Sequence, residues 1–579
     1  MYTVRLPGGK WRQMILTIDP FSTDLDSRFK IFHELMQWKV RDILLVSTPY
    51  DAWVLEEDCR LSERIISEYR GLNLSKPPRI TWVRSAAQAL ATLESKRFDL
   101  VLSMSRLSDI TPEELAQQIK RKEPDLPVIL LSHVMVVPQE LFMLPPAPSA
   151  IDHTFVWSGD TDILVALVKS AEDRMNVERD TQAAGIRVIL FVEDAPYYLS
   201  SLLPILYSEV VGQTQSIMGS GLNEEHRLLT MRARPKILIA RSYEEALALF
   251  ERFEPYVLGV ISDVTIQRQN RPDSAAGPDL LVHVRRERFD IPLLLTGSNV
   301  EHQRRAGELG AAFVDKHASS LHAEVRAFFK RHLGFGDFIF RMPDGREIGR
   351  AHNLRTLAEG IASIPEESLA LHSRRNDFSR WLFARTEIVL ASKLRPLTQE
   401  DFQDLPSRRR YLVEIVQARR ERRLRGVVAN FDAADFDPET EFFKIGHGSL
   451  GGKARGLAFL GSLLRHAPEL HQNFKRVAIS IPQSLVITTD GFEEFVEDND
   501  LGPLAASDLP DEAVARKFME ARMPDSLEQA LRTFLSFADY PLAVRSSSLL
   551  EDAQLHAYAG LYRTYMLPND QPRLDHRLA

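Results

Sequence analysis

The strongest constraint on this chain is an alternation that occurs twice. Short apolar runs lie at residues 43–46, 80–83, 100–102, 128–131 and 153–157, and again at 188–192, 236–240, 257–261, 293–295 and 312–314. Helix-like stretches separate them, among them 86–93, 113–120, 162–168, 243–253 and 321–333. A strand with no polar face is buried on both sides, and a helix between successive strands makes the sheet parallel. The spacing predicts two flavodoxin-like, doubly wound modules, with ligands at the carboxyl ends of the strands.

A length of 579 residues leaves room for further domains, since about three to five are expected at this size. Lys+Arg 72 against Asp+Glu 80 leaves a net charge of −8, which disfavours general nucleic-acid binding. The lone cysteine, Cys59, excludes an intrachain disulfide or a cysteine-based zinc cluster and suits a reducing compartment. No segment reaches the ~18 apolar residues of a membrane span. The expectation is a cytoplasmic protein with no membrane partner.

In the second module the strand ends carry a specific set of residues. Glu193 and Asp194 follow the first run, Asp263 the third, Thr296 the fourth and Lys316 the fifth. Three carboxylates crowded at one sheet edge repel unless a hard divalent cation such as Mg²⁺ lies among them. Asp263 is then placed to attack a phosphoryl group as a carboxylate nucleophile, while Thr296 and Lys316 can grip the phosphoryl oxygens. This set resembles the response-regulator receiver domain over 185–333. The resemblance implies that Asp263 is the phosphoacceptor, that Glu193, Asp194 and Asp263 bind Mg²⁺, and that Thr296 and Lys316 are the switch pair. It also implies a sensor histidine kinase as partner. The loop 264–277 is a long departure from the family pattern.

The first module resembles the same family without its chemistry. Ser47-Thr48 stands at the acidic pair, Met104 at the phosphoacceptor, Ser132 at the hydroxyl and Trp157 at the lysine. Methionine has no nucleophilic oxygen. Residues 1–180 are therefore expected to be a degenerate receiver that docks or dimerises, giving the chain a route to a homodimer.

After Phe442 the chain changes character. One motif is KIGHGSLGGKARGL, residues 444–457, in which glycines allow close backbone approach and Lys453 follows. It is not a P-loop, because His447 and Ala454 occupy positions where that pattern needs Gly and Ser or Thr. The second motif is AVRSSSLLED, residues 543–552, continuing to YAG at 558–560. Arginine and serines at a strand end can line a polyphosphate. Together the motifs resemble the N-terminal ATP-binding region of pyruvate phosphate dikinase and phosphoenolpyruvate synthase. The resemblance implies ATP contacts from Lys453, Arg545, Ser546, Ser547 and Gly560 and a partial ATP-grasp-type fold. It implies no catalytic histidine in this chain, and pyruvate as a substrate only of a complete protein, of which 441–579 would be a fragment.

The remaining segment, 334–440, is expected to be a mostly helical connector, with helices at 354–362, 378–392 and 411–424. Its arginines at 408–410 and 419–425 read as a solvated helix face in preference to a nucleic-acid contact, with an acidic surface on a neighbouring domain as another use; His352, His372 and His447 read as surface or loop histidines. The whole is expected to be an α/β multidomain protein: a phosphotransferase regulated through Asp263, using ATP and Mg²⁺. The alternative is a non-enzymatic signalling adaptor switched by receiver phosphorylation.

Overall fold

The computed structural model describes residues 2–5, 11–14, 34–54, 78–133, 150–157, 162–219, 231–424, 427–433, 436–466, 477, 479–547 and 562–578. Of these, residues up to Val416 form one compact unit and those from Gln417 onward form a second.

The first unit holds two five-stranded parallel sheets. β1 (Asp42–Val46), β2 (Arg79–Val83), β3 (Leu100–Met104), β4 (Val128–His133) and β5 (His153–Trp157) are ordered β2-β1-β3-β4-β5. β6 (Val188–Val192), β7 (Lys236–Ala240), β8 (Val257–Asp263), β9 (Leu293–Gly297) and β10 (Ala312–Asp315) repeat the pattern as β7-β6-β8-β9-β10. This is the flavodoxin-like order, in which the chain switches direction between the first and third strands. Every residue of β6, β7, β8 and β9 is buried. That explains the absence of polar alternation: helices cover both faces. One face packs Leu190, Leu238 and Val260 against Phe250, Leu281 and Val284.

The helix between the two sheets, Asp162–Ala184, runs far past the expected 162–168. Its second half is polar yet buried, because the charges are paired. Asp173 lies 2.8 Å from Arg234 and accepts the Tyr207 hydroxyl at 2.9 Å. Asp180 lies 2.9 Å from Lys236, and Asn176 accepts the Trp38 N–H at 3.0 Å. A buried charge persists only with such partners.

A two-stranded antiparallel sheet (Phe338–Arg341 with Glu347–Ala351) opens the next segment. Helices Leu354–Ser363, Glu366–Arg374, Asp377–Ala384, Ile388–Leu394 and Leu405–Leu424 follow. The expected helix over 378–392 is thus two helices. Thr386 breaks it with φ 62, a left-handed conformation that ends a helix. Two further expectations are corrected. His372 is no surface histidine: it is buried among Phe338, Phe340 and Phe378, accepts the Arg341 N–H at 2.9 Å through Nε2, and meets Asp377 at 2.8 Å through Nδ1. Nor is the arginine run simply solvated. Arg408 is buried and donates to the Leu397 carbonyl, while Arg409 caps the carbonyls of Ile361 and Ile364. In the second unit Arg420 makes a two-pronged pair with Asp437, a carboxylate 17 residues further along the same segment.

The second unit contains a parallel three-stranded sheet in which Phe442–Ile445 lies between Ala429–Asn430 and Ser484–Ile487. An antiparallel pair, Leu542–Arg545 with Thr564–Leu567, is separate from it. Phe436, Phe443, Phe534 and Leu535 form its core. No helix among the described residues is long and apolar enough to cross a membrane.

Candidate functional site

Because β6, β8, β9 and β10 are parallel, their carboxyl ends meet. Glu193 and Asp194 leave β6, Asp263 ends β8 and lies in register with Thr296 of β9, and Lys316 follows β10. The Lys316 ammonium lies 2.7 Å from Glu193 Oε2 and 2.8 Å from Asp263 Oδ2. It also sits over the Tyr198 ring, 4.2 Å from its centre. Carboxylate oxygens of Glu193, Asp194 and Asp263 all fall within 4.8 Å of one another, and this is the only such metal-competent cluster among the described residues.

The backbone holds these groups in place. The Ala195 N–H donates to Glu193 Oε1 at 3.1 Å and the Val264 N–H to Asp263 Oδ1 at 2.8 Å. Gly277 closes against this turn: its N–H donates to the Val264 carbonyl, and a Cβ there would overlap the Asp263 carbonyl oxygen. The loop after Asp263 is a small hairpin, Ile266–Arg268 with Arg271–Asp273. Gln269 and Asn270 turn it with φ of 52 and 60, as a two-residue hairpin of native twist requires. Thr296 is buried, and its hydroxyl donates to the Ser262 carbonyl at 3.4 Å.

The electrostatics follow from burial and crowding. Burial pushes Glu193 well above the usual carboxylate range, with Lys316 opposing. Burial and the like charge of Asp263 push Asp194 up to about 6. Burial works against the Lys316 charge, but Glu193 and Asp263 outweigh it and hold the ammonium above its ordinary value. Three clustered oxygen donors, two of them strained toward protonation, suit a hard divalent cation.

The matching edge of the first sheet is differently furnished. Ser47 accepts the Trp82 indole N–H at 2.9 Å, and Thr48 caps the short helix Pro49–Trp53 through the Asp51 N–H. Met104 and Trp157 fill the edge as buried apolar residues, and Ser132 is half-buried.

In the second unit the two sequence motifs touch. The Ser547 hydroxyl accepts the Ala454 N–H at 3.0 Å and donates to the Leu450 carbonyl at 2.8 Å. Gly451, with φ +75, lets the backbones meet, since a Cβ there would overlap the Ser547 carbonyl oxygen. Lys453 lies in the first turn of the helix Gly452–His466, so the loop delivers its N–H groups and a lysine to one place. Arg545 ends its strand, exposed, and the adjoining Ser546 hydroxyl is buried without a hydrogen-bond partner among the described residues. Gly560 lies outside the described residues. Sequence reading missed Asp490, which accepts the His447 N–H at 2.7 Å and pins the glycine loop. Burial raises its pKa, but Thr488 and the N–H groups of His447 and Gly448 hold it down, to about 2. The signal was the Thr-Thr-Asp ending of an apolar run.

Residues 447–576 match the family model described as pyruvate phosphate dikinase, AMP/ATP-binding domain. Among solved structures, the chain is similar to the signal receiver domain of an HD domain-containing protein from Pseudomonas fluorescens Pf-5, with 21% identity, 25% of this chain and 94% of that one covered, and a TM-score of 0.19. It is also similar to the receiver domain of a sensor histidine kinase from Pseudomonas aeruginosa PAO1, solved with magnesium in its active-site cleft. There the identity is 17%, the coverage 23% of this chain and 98% of that one, and the TM-score 0.17. No curated protein matches the chain.

Proposed function

We propose that the chain is a phosphotransferase under two-component control, in which phosphoryl input at Asp263 governs an ATP-binding module spanning 441–579. The observation that carries the receiver half is Lys316 bridging Glu193 and Asp263 beside Asp194 at the carboxyl edge of the second sheet. An Asp263 oxygen attacks the phosphorus of a sensor kinase's phosphohistidine. The P–N bond breaks, and its electron pair stays on the imidazole nitrogen, which takes up a proton. Lys316 moves from one carboxylate partner to a phosphoryl oxygen without leaving the site, and the Thr296 hydroxyl turns from the Ser262 carbonyl to another. Glu193, Asp194 and Asp263 would hold Mg²⁺, which would supply charge neutralisation at the phosphoryl oxygens.

In the second unit the glycine loop, Lys453, Arg545, Ser546 and Ser547 bind the ATP phosphates. The Ser546 hydroxyl, which has no hydrogen-bond partner among the described residues, and the helix N-terminus supply the matching donors. By resemblance, phosphoryl transfer towards pyruvate through a histidine carrier would be a step of a complete protein only. The first module, lacking carboxylates at these positions, docks or dimerises.

The test is incubation with acetyl phosphate and Mg²⁺. We expect a hydroxylamine-sensitive acyl phosphate on the wild type and none on Asp263→Asn; labelling that survives the substitution overturns the reading. ATP titration separates enzyme from adaptor. Binding weakened at least tenfold by Lys453→Ala and by Arg545→Ala supports the ATP module, and no binding to the wild type favours the adaptor.

A further inference from the structure

A cavity of about 700 Å³ lies at the other end of the second sheet, a size ordinary for small-molecule sites. Its walls are the starts of the strands, with Arg187 directly before β6 and Pro255 shortly before β8, together with the end of the helix Ala276–Glu287 and the connector residues Phe383, Arg395 and Arg408. β8 is seven residues long, so the cavity is roughly 20 Å from Asp263 at strand rise. The two places are separate.

Five arginines line the cavity, Arg187, Arg288, Arg374, Arg395 and Arg408, against two carboxylates, Glu287 and Asp290. Asp290 is already taken by Arg395, at 2.8 and 3.1 Å. Arg187 is only 5% exposed; its guanidinium stacks on Phe383 at 3.8 Å, and its Nε has no hydrogen-bond partner among the described residues. Arg408 is 4% exposed, donates to the Leu397 carbonyl and Gln399, lies over the Phe402 ring and feels the Asp401 charge, and its Nε has no hydrogen-bond partner among the described residues. Burial brings Arg187 down to about 9 and Arg408 to about 10. A buried cation without an anion is costly, and the guanidinium fork matches phosphate oxygens better than any neutral donor. With Arg288 paired to Glu254 beside the cavity, five arginines face three carboxylates, Glu254, Glu287 and Asp290, and the surplus of two positive charges suits a phosphate ester, which carries nearly two negative charges. The exposed ring of Phe289 at the rim adds an apolar surface for the remainder of a ligand.

We propose that this cavity is an effector site for a phosphate-bearing small molecule, held by Arg187 and Arg408 inside and Arg374 at the mouth. It joins the base of the receiver sheet to the connector helices, so an occupant ties those elements together from the end opposite the phosphoacceptor. This assignment is independent of the ATP reading of the second unit.

The probe is inorganic pyrophosphate, titrated calorimetrically into the full chain with EDTA present. We expect binding that Arg187→Met and Arg408→Gln each weaken at least tenfold and that Lys453→Ala leaves within twofold. Should Arg187→Met fail to fold, Arg374→Gln at the exposed mouth joins Arg408→Gln, with a threefold or greater loss expected. Absence of binding at millimolar pyrophosphate overturns the proposal, as does binding that the arginine substitutions leave unchanged. A loss confined to Lys453→Ala places pyrophosphate in the ATP module and overturns it equally.

Discussion

Lys316 shows how a single side chain sets the state of a site. Two carboxylates share its ammonium, while Asp194 is raised to about 6 by burial and by Asp263. An acid whose folded pKa lies above its unfolded value, near 3.9, holds its proton more tightly when folded. Its contribution to stability is present below about pH 4 and is lost as the pH rises through 6. Above that pH Asp194 is ionised beside Asp263, and a divalent cation relieves their repulsion. Magnesium affinity is therefore expected to fall about tenfold for each pH unit below 6, where a proton must leave before the metal binds. Equilibrium dialysis at pH 5 and 7.5 measures this, and Asp194→Asn should flatten the difference. Gly451 is the counterpart in the second unit. Gly451→Ala drives a methyl group into the Ser547 carbonyl and strains a left-handed backbone. At least a tenfold loss of ATP affinity is expected by calorimetry, with the Asp263 acyl phosphate unchanged. Which side chains stand at the strand ends and in the glycine-lysine loop was legible in sequence, because both are local patterns. Asp490 and Tyr198 were not, since each acts on residues brought to it only by folding.

Among the elements, the helix Asp162–Ala184 depends most on its surroundings. Asp173 is fully buried and serves Arg234, the Tyr207 hydroxyl and the Ile237 N–H at once. Removing one partner of such a network leaves buried charges uncompensated. Asp173→Ala is expected to destabilise the first unit by about 3–5 kcal/mol, read as an earlier midpoint in urea unfolding; a loss under 1 kcal/mol would contradict the pairing. The extent of this helix was illegible beyond its first turns, because polar residues on every face carry no helical stripe. The same cause hid the roles of Arg408 and Arg409, whose partners are carbonyls of other segments. The break at Thr386 went unread for another reason: no Gly or Pro marks it.

At the scale of the molecule, the two compact units should report on different ligands. A ligand at a hundred times its dissociation constant stabilises its own unit by about 2.7 kcal/mol. ATP is expected to raise the calorimetric transition of the second unit by about 5–10 °C and to leave that of the first within 1–2 °C; Lys453→Ala should abolish the shift. Asp173→Ala should act on the other transition alone. The sequence by itself determined the parallel, doubly wound modules, because runs apolar on both faces admit no other cover than helices. It also determined which of the two carries a carboxylate at the end of its third strand, since Met104 stands where the other has Asp263. Only the tertiary structure decided where charges end up. That Asp173 and Asp180 are buried ion-pair partners, that His372 lies among phenylalanines, and that Arg187 and Arg408 line a cavity are facts of long-range packing. A charged residue looks solvent-seeking in sequence, and whether it is buried depends on partners that the chain supplies tens to hundreds of residues away.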